Sequence, residues 1–188
     1  ELIETIPRIE PAYDNLGVLD VGGATTDFYS NTESTMTSDT VVLKGIREPR
    51  LKRSVEGDLG LRVSIKFLRE AAAEYIEAAT HRAQIAMDEM DEYVARCAAK
   101  PDYVANTLKE QRLDAILFEA CAYHAALRHA GSWQPTFTPA GKIYVQKGKD
   151  LRQIKRIVGT GGYIAHHNCA EAVSNVFRNL LRPAEKIV

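Results

Sequence analysis

Asp20 and Asp27 bracket the stretch Asp20-Val21-Gly22-Gly23-Ala24-Thr25-Thr26-Asp27, whose residue types and spacing could do chemistry on a phosphate. The run Gly17-Val18-Leu19 leads a strand into the turn and delivers Asp20 at its end, and Thr25-Thr26 resume a strand beyond it. Two consecutive glycines let the backbone approach a ligand closely. Successive N–H groups in such a turn form an anion-binding concavity, and two carboxylates suit a hydrated Mg2+ ion. A plain Gly-Gly hairpin with aspartate at each end uses the same residues, and spacing alone leaves both readings open. A Walker A loop is excluded, because no Gly-Lys-Ser/Thr follows.

Two further stretches could act with the first. Gly159-Thr160-Gly161-Gly162 lies between a strand and a capped helix, where a nucleotide could rest on bare backbone. A tight strand-helix turn is the other meaning, and the dinucleotide pattern GxGxxG is incomplete. Residues 48–62 (EPRLKRSVEGDLGLR) overlap a run with five cations within 44–53, Lys44, Arg47, Arg50, Lys52 and Arg53. These could meet phosphate, or they could form a solvated loop. Gly57 and Gly60 flank a helix start, where backbone N–H groups can grip a ligand. Other side chains carry less. His166-His167 beside Cys169 lacks a second ligand cluster at metal-binding spacing. His124 and His129 stand five apart on a helix, a poor spacing for shared coordination, and Ser132 and Ser174 have no nucleophile elbow.

The elements that position these residues follow from hydrophobic periodicity. The first sixty residues read as consecutive antiparallel strands (Gly17–Val21, Thr25–Ser30, Thr40–Ile46), with a Ser/Thr/Asn-rich connection over 31–39. From Asp58 the period changes to that of a helix: Leu59, Val63, Phe67, Leu68, Ala72 and Ile76 form one stripe. A second runs through Met87, Met90, Val94 and Cys97 to Pro101, with a break expected near Thr80-His81. A third helix is expected from Thr107 to Ala130, ended by Gly131. Pro135 and Pro139 mark a loop, Lys142–Gln146 and Arg156–Val158 are strand candidates, and Asn168 with Glu171 caps a last helix. This order divides the chain into a sheet-and-helix lobe, 1–60 plus 132–188, and a helical insert, 61–131.

Composition narrows the function classes. Among 188 residues, 45% hydrophobic and 26% charged content is that of a folded domain rather than a disordered chain. A formal net charge of -1 argues against a dedicated nucleic-acid binder. No apolar run approaches the ~20 residues needed to span a bilayer, and no basic-then-apolar leader opens the chain. Three widely spaced cysteines, Cys97, Cys121 and Cys169, suggest thiols in a reducing cytoplasm. The opening at Glu1 reads as a piece of a longer chain.

Taken together the motifs resemble a known order. DVGGATTD (20–27) is similar to the second phosphate motif of the actin, sugar-kinase and heat-shock-chaperone ATPase superfamily, and GTGG (159–162) resembles its adenosine motif. More narrowly, EPRLKRSVEGDLGLR and IYVQKGKDL…IVGTGG resemble the GlmL family, also labelled MutL, found with adenosylcobalamin-dependent glutamate mutase and related aminomutases. The mismatch-repair protein of the same name is unrelated. The resemblance implies an α/β fold, that of domain II of a ribonuclease H-like or actin-like ATPase, with a helical inserted lobe.

The resemblance also implies residue roles, with ATP and Mg2+ as cofactors. Asp20 and Asp27 would hold or orient Mg2+ and the attacking water. Amides of Gly22, Gly23 and Ala24, with the Thr25 hydroxyl, would bind the outer phosphates. Glu56, Gly57, Asp58 and Gly60 would lie beside the nucleotide, although Leu61 stands where chaperone relatives have a second glycine. Gly159, Gly161 and Gly162 would line the adenosine side. No first phosphate motif precedes residue 16, so the resemblance is to the second half of the ATPase. The missing N-terminal half would be a partner in closing the cleft, and this chain alone would hold nucleotide poorly and hydrolyse it negligibly. The implied function is that of an ATPase which reactivates an adenosylcobalamin-dependent mutase, whose subunits are the expected partners. Neither nucleic acid nor membrane is expected as one. A small-molecule kinase of the same superfamily is the alternative, and a non-catalytic interaction module presenting Met87, Met90 and Tyr93 is the third.

Overall fold

The computed structural model describes residues 2–11, 14–33, 41–139 and 141–180. Its organising element is a hairpin. Strands β1 (Leu16–Val21) and β2 (Thr26–Asn31) pair antiparallel, with Asp20 opposite Asp27. β4 (Leu51–Glu56) adds antiparallel to β2, and β7 (Arg156–Thr160) adds parallel to β1, giving the order β4-β2-β1-β7. β1 is covered on both faces, which is why its sequence is nearly continuous in apolar residues. Strand alternation sends Leu19, Val21 and Phe28 into the main buried cluster beneath the helices. Leu16 and Val18 point the other way, with Ile3 of α1 (Leu2–Ile9), Tyr29, Leu51 and Val158.

The helices follow in four steps: α2 (Ile65–Ala71), α3 (Ala73–Arg82), α4 (Met87–Ala99) and α5 (Leu108–His129). The first stripe is therefore two helices that meet at Ala72, and Leu59–Ser64 precede α2 as turns rather than helix. The second break falls at 83–86, slightly later than Thr80-His81, where Gln84 adopts a positive φ of 57°. Met90 and Tyr93 are core residues, 0% and 2% exposed, which leaves them unavailable as a partner surface. α5 matches its expected span closely. Thr107 caps it in a full capping box with Glu110, a signal legible as Thr-x-x-Glu. Alanines 120, 122, 125 and 126, all 0% exposed, let α5 lie close against both the sheet and α7 (Ala170–Leu180). The buried cluster runs through both parts of the division at 60/61 and 131/132, joining Phe28 and Phe177 to Leu68, Ile76 and Leu117.

Three expectations are corrected. Residues 51–56 are strand β4, not a solvated loop. Their alternation was hidden because the positions turned toward α5 are polar, Lys52, Ser54 and Glu56, and are matched by polar groups of that helix. Of the expected Thr40–Ile46 strand, Thr40 lies outside the described residues and Lys44–Ile46 do not continue it; Val41–Leu43 form β3, which lies outside the main sheet and pairs parallel with β6 (Gly141–Lys147). The Pro135 loop is strand β5 (Ser132–Thr138), paired antiparallel with β6. β5 is an edge strand of this second sheet, β3-β6-β5, and an edge tolerates the missing proline N–H. α6 (Gly162–His166) is a short helix before α7, which begins two residues after Asn168. The remainder of the 31–39 connection, from residue 34, and the chain after Leu180 lie outside the described residues.

Two buried cationic or basic side chains tie the pieces together. Lys149, 1% exposed, donates to the carbonyl oxygens of Thr32 at 2.6 Å, Pro49 at 2.5 Å and Arg50 at 2.9 Å. All three ammonium protons are thereby used, which offsets the cost of burying the charge. His129, at the end of α5, bridges Ser30 of β2 (Nε2, 2.8 Å) and Ser54 of β4 (Nδ1, 2.8 Å). Burial, then Lys52 and Lys149, push its pKa down from 6.5 to about 3. The unfolded chain therefore binds the proton that the folded chain refuses. This stability is complete above pH 6.5 and is lost as pH falls towards 3, at a slope of at most about 1.4 kcal/mol per pH unit. Chemical denaturation between pH 7 and 4 should show the slope, and His129→Gln, which retains one donor and one acceptor, should flatten it.

Candidate functional site

β1, β4 and β7 run in one direction, so their carboxyl ends share one end of the sheet. The pairings Asp20 with Thr160 and Thr26 with Glu56 put the turns after Val21, Glu56 and Thr160 side by side. In open α/β sheets this is where ligands bind. The three glycine stretches read separately in the sequence therefore converge.

Glycines hold the convergence because backbone meets backbone there. A Cβ at Gly60 would stand 2.5 Å from the Ala24 carbonyl carbon and 2.7 Å from the Gly23 oxygen. Gly161 adopts φ +106°, and a Cβ there would overlap the Val21 carbonyl and stand 3.1 Å from Asp20 Oδ1. The segment after Gly60 is stitched to the first turn. The amide of Leu61 donates to Gly22 O (3.1 Å), those of Arg62 and Val63 to Gly23 O (2.8 Å each), and Ser64 Oγ donates to Ala24 O (2.7 Å). Thr26 Oγ1 donates to Leu59 O at 2.6 Å. The Gly22 amide is spent on Thr25 O, whereas those of Gly23 and Ala24 meet no acceptor among the described residues.

The carboxylates sort by face. Asp20 and Asp27 face each other on the α1 side of the sheet. Asp27 is 6% exposed; its Oδ2 accepts from Arg53 Nη2 (2.6 Å) and Nε (3.2 Å) and from the Tyr29 hydroxyl (3.3 Å). Its Oδ1 is buried and has no partner among the described residues. Burial and the Asp27 charge push the Asp20 carboxyl above the usual range, against the pull of Arg53. Glu56 and Asp58 instead meet Arg128 of α5, at 2.8 Å for Glu56 and at 2.7 and 2.8 Å for Asp58. That guanidinium holds the Asp58 carboxyl below its ordinary value. Gly57 and Gly162 are exposed, and a Cβ at either would meet nothing within 4 Å. Gly159 packs on Ile164 of α6.

Several residues of this region escaped sequence reasoning. Arg62 forms a two-pronged pair with Asp114 of α5 (3.0 and 2.7 Å) and donates to Tyr103 O, tying the stitched segment to α5 and to the connection that precedes it. Tyr163, just past Gly162, stacks on Phe118 of α5 at 4.8 Å. The Asp27–Arg53 pair was legible only to a reader who recognised β4, since Arg53 neighbours Asp27 through the register of β2 with β4. His167 stacks on Tyr163 at 4.2 Å, and Cys169 is buried like Cys97 and Cys121. No group of three or more metal-binding side chains occurs among the described residues. None of the described helices is long and apolar enough to cross a membrane.

Fold and site define a mixed α/β protein whose glycine turns meet at the carboxyl ends of one sheet, beside a facing pair of aspartates. The family model described as MutL protein matches residues 1–187, and the chain belongs to that family, not to the mismatch-repair proteins of the same name. A relative described as Protein MutL, from Clostridium tetanomorphum, is 36% identical over 161 residues, which cover 84% of this chain and 34% of the relative. The chain thus spans about a third of that relative's length.

Two expectations test the geometry. Gly60→Ala should destabilise the fold by about 3 kcal/mol or more, because the obstructing atoms are backbone. Gly57→Ala should stay within about 0.5 kcal/mol, and denaturant midpoints compare the two. Arg53→Met should raise the Asp20 pKa further, as read from its side-chain carboxyl carbon by NMR across a pH titration.

Proposed function

We propose that this chain is the nucleotide-holding half of an actin-like ATPase that reactivates an adenosylcobalamin-dependent aminomutase such as glutamate mutase. The observation that carries the reading is the meeting of the three glycine turns beside Asp20 and Asp27 at one sheet end. Membership of the MutL family supports the choice of client.

The residues present fit both cofactors. Mg2+ is commonly bound through one or two carboxylates, with waters and substrate phosphates completing its shell. Asp20 and Asp27 offer two facing carboxylates, and Asp27 Oδ1, without a partner among the described residues, is an oxygen available to a cation or its water. Mg2+ bound there would neutralise charge on the outer phosphates. The open amides of Gly23 and Ala24 suit phosphate oxygens, with Gly22 and Thr25 shaping the turn around them. Gly159, Gly161 and Gly162 offer a surface of bare backbone for the nucleoside. Arg128 already engages Glu56 and Asp58, so their part is to fix the Gly57–Gly60 turn rather than to contact ligand through carboxylate oxygens. Arg53 opposes the build-up of negative charge between Asp20 and Asp27. The Asp20 carboxylate is the group placed to hold a proton or water at its Oδ atoms.

The test uses the full-length protein with Mg-ATP and a cobalamin-inactivated aminomutase. Mutase activity should recover with the wild type and stay below a tenth of that recovery with Asp20→Asn. ATP hydrolysis without recovery would sink the reactivation reading, and phosphate transfer to a small hydroxyl or carboxyl acceptor would establish a kinase instead.

A further inference from the structure

Away from the glycine turns, three helices border a cavity of about 440 Å3, and no residue of those turns lines it. Each helix contributes one stripe. Tyr75 and Arg82 stand seven apart on α3, Glu119 and Tyr123 four apart on α5, and Asn175 and Val176 come from α7. The volume falls within the roughly 300–1,000 Å3 of small-molecule sites. Its charged groups are not satisfied by one another. Glu119 is half-buried, and among the described residues its hydrogen bond is a long one, 3.5 Å from the Tyr75 hydroxyl. Arg82 is exposed and makes no hydrogen bond or ion pair among the described residues. Burial pushes the Glu119 carboxyl above its ordinary value, against the Tyr75 hydroxyl and the Arg82 charge. A carboxylate and a guanidinium thus share one cavity, near enough to feel each other but not paired. The Tyr123 ring stacks on Tyr75 at 5.0 Å, and its hydroxyl has no partner among the described residues. Asn175 Oδ1 accepts from Arg178 at 3.1 Å, which leaves the Asn175 amide N–H groups as donors.

We propose that this cavity binds a small zwitterion, an α-amino acid, with its ammonium on Glu119 and its carboxylate on Arg82, Tyr123 and Asn175. Two unpaired charges of opposite sign select the ligand. A simple amine would satisfy Glu119 but meet the Arg82 charge, and a simple carboxylic acid would satisfy Arg82 but meet Glu119. A zwitterion pairs both at once through charge-assisted hydrogen bonds. The planar fork of Arg82 matches a carboxylate, and Tyr123 and Asn175 add neutral donors beside it. Buried Val176 and the tyrosine rings remain as an apolar wall for the ligand's side chain. This site is separate from the ATPase reading and stands or falls without it.

The full-length protein is to be melted with each proteinogenic L-amino acid at millimolar concentration, and the best stabiliser titrated by calorimetry. At least one should raise Tm, since a ligand of the native state stabilises it. The amine and the carboxylic acid that each lack one of its charges should bind at least about tenfold more weakly. Glu119→Gln and Arg82→Met should each cost at least about tenfold in affinity, yet melt close to the wild type without ligand. Tyr123→Phe removes one hydroxyl and keeps the stacked ring, and should weaken binding by about threefold to tenfold. Absence of stabilisation by every amino acid overturns the site, as direct closure of Arg82 on Glu119 would produce. Binding that survives both Glu119→Gln and Arg82→Met places the amino acid elsewhere and overturns it too. Equal affinity for the amine or the acid replaces the zwitterion with a singly charged ligand, and that result also overturns it.

Discussion

The site depends on one steric constraint: main chain packs directly on main chain where Gly60 meets Ala24 and where Gly161 meets Val21. Neither contact has room for a Cβ. The sheet brings three strand ends to the same level, but only these two contacts bring the turns themselves together. Once they touch, the hydrogen bonds from residues 61–64 to the first turn follow with little further ordering. The aspartate pair inherits its position from this arrangement, since the same hairpin that forms the turn puts Asp20 opposite Asp27.

Charge is then distributed by the two faces of the sheet. On the α5 side, polar positions of β2 and β4 find fixed partners: Ser30 and Ser54 share His129, and Glu56 shares Arg128 with Asp58. On the α1 side the pairing is left incomplete. Arg53 takes one oxygen of Asp27, the other has no partner among the described residues, and Asp20 is pushed towards protonation. A buried carboxylate oxygen without a partner costs free energy in the folded chain. That cost falls beside the Gly22–Ala24 turn, where the Gly23 and Ala24 amides also meet no acceptor among the described residues.

This division also explains what the sequence made legible. The hairpin, the long helix α5 and the glycine turns each announce themselves through local signals: an apolar run into Gly-Gly, a capping box at Thr107, consecutive glycines before a helix. Their convergence is a tertiary fact, and only family resemblance anticipated it. β4 was missed because its helix-facing positions are Lys, Ser and Glu. Period-2 reasoning looks for apolar residues at such positions, whereas α5 supplies His129 and Arg128 to meet polar ones. β5 was missed for the opposite reason. Proline is strong punctuation locally, but the edge of a sheet has no use for the N–H that proline lacks.

Residues 59–65 finally make the helical part and the turn mechanically inseparable. Four hydrogen bonds from Leu61, Arg62, Val63 and Ser64 hold the Gly22–Ala24 carbonyls, and α2 begins at the next residue, Ile65. The Arg62 side chain leaves the same segment for Asp114 of α5 and for the Tyr103 carbonyl after α4. Asp114 is 2% exposed, so breaking this pair would strand a charge in the interior. Rotation of the helices relative to the sheet must therefore either carry the turn along or break buried bonds. The less costly course is to move the turn, so the conformation of the Gly22–Ala24 turn and the placement of α2 to α5 bias one another, as linkage between two contact sets requires.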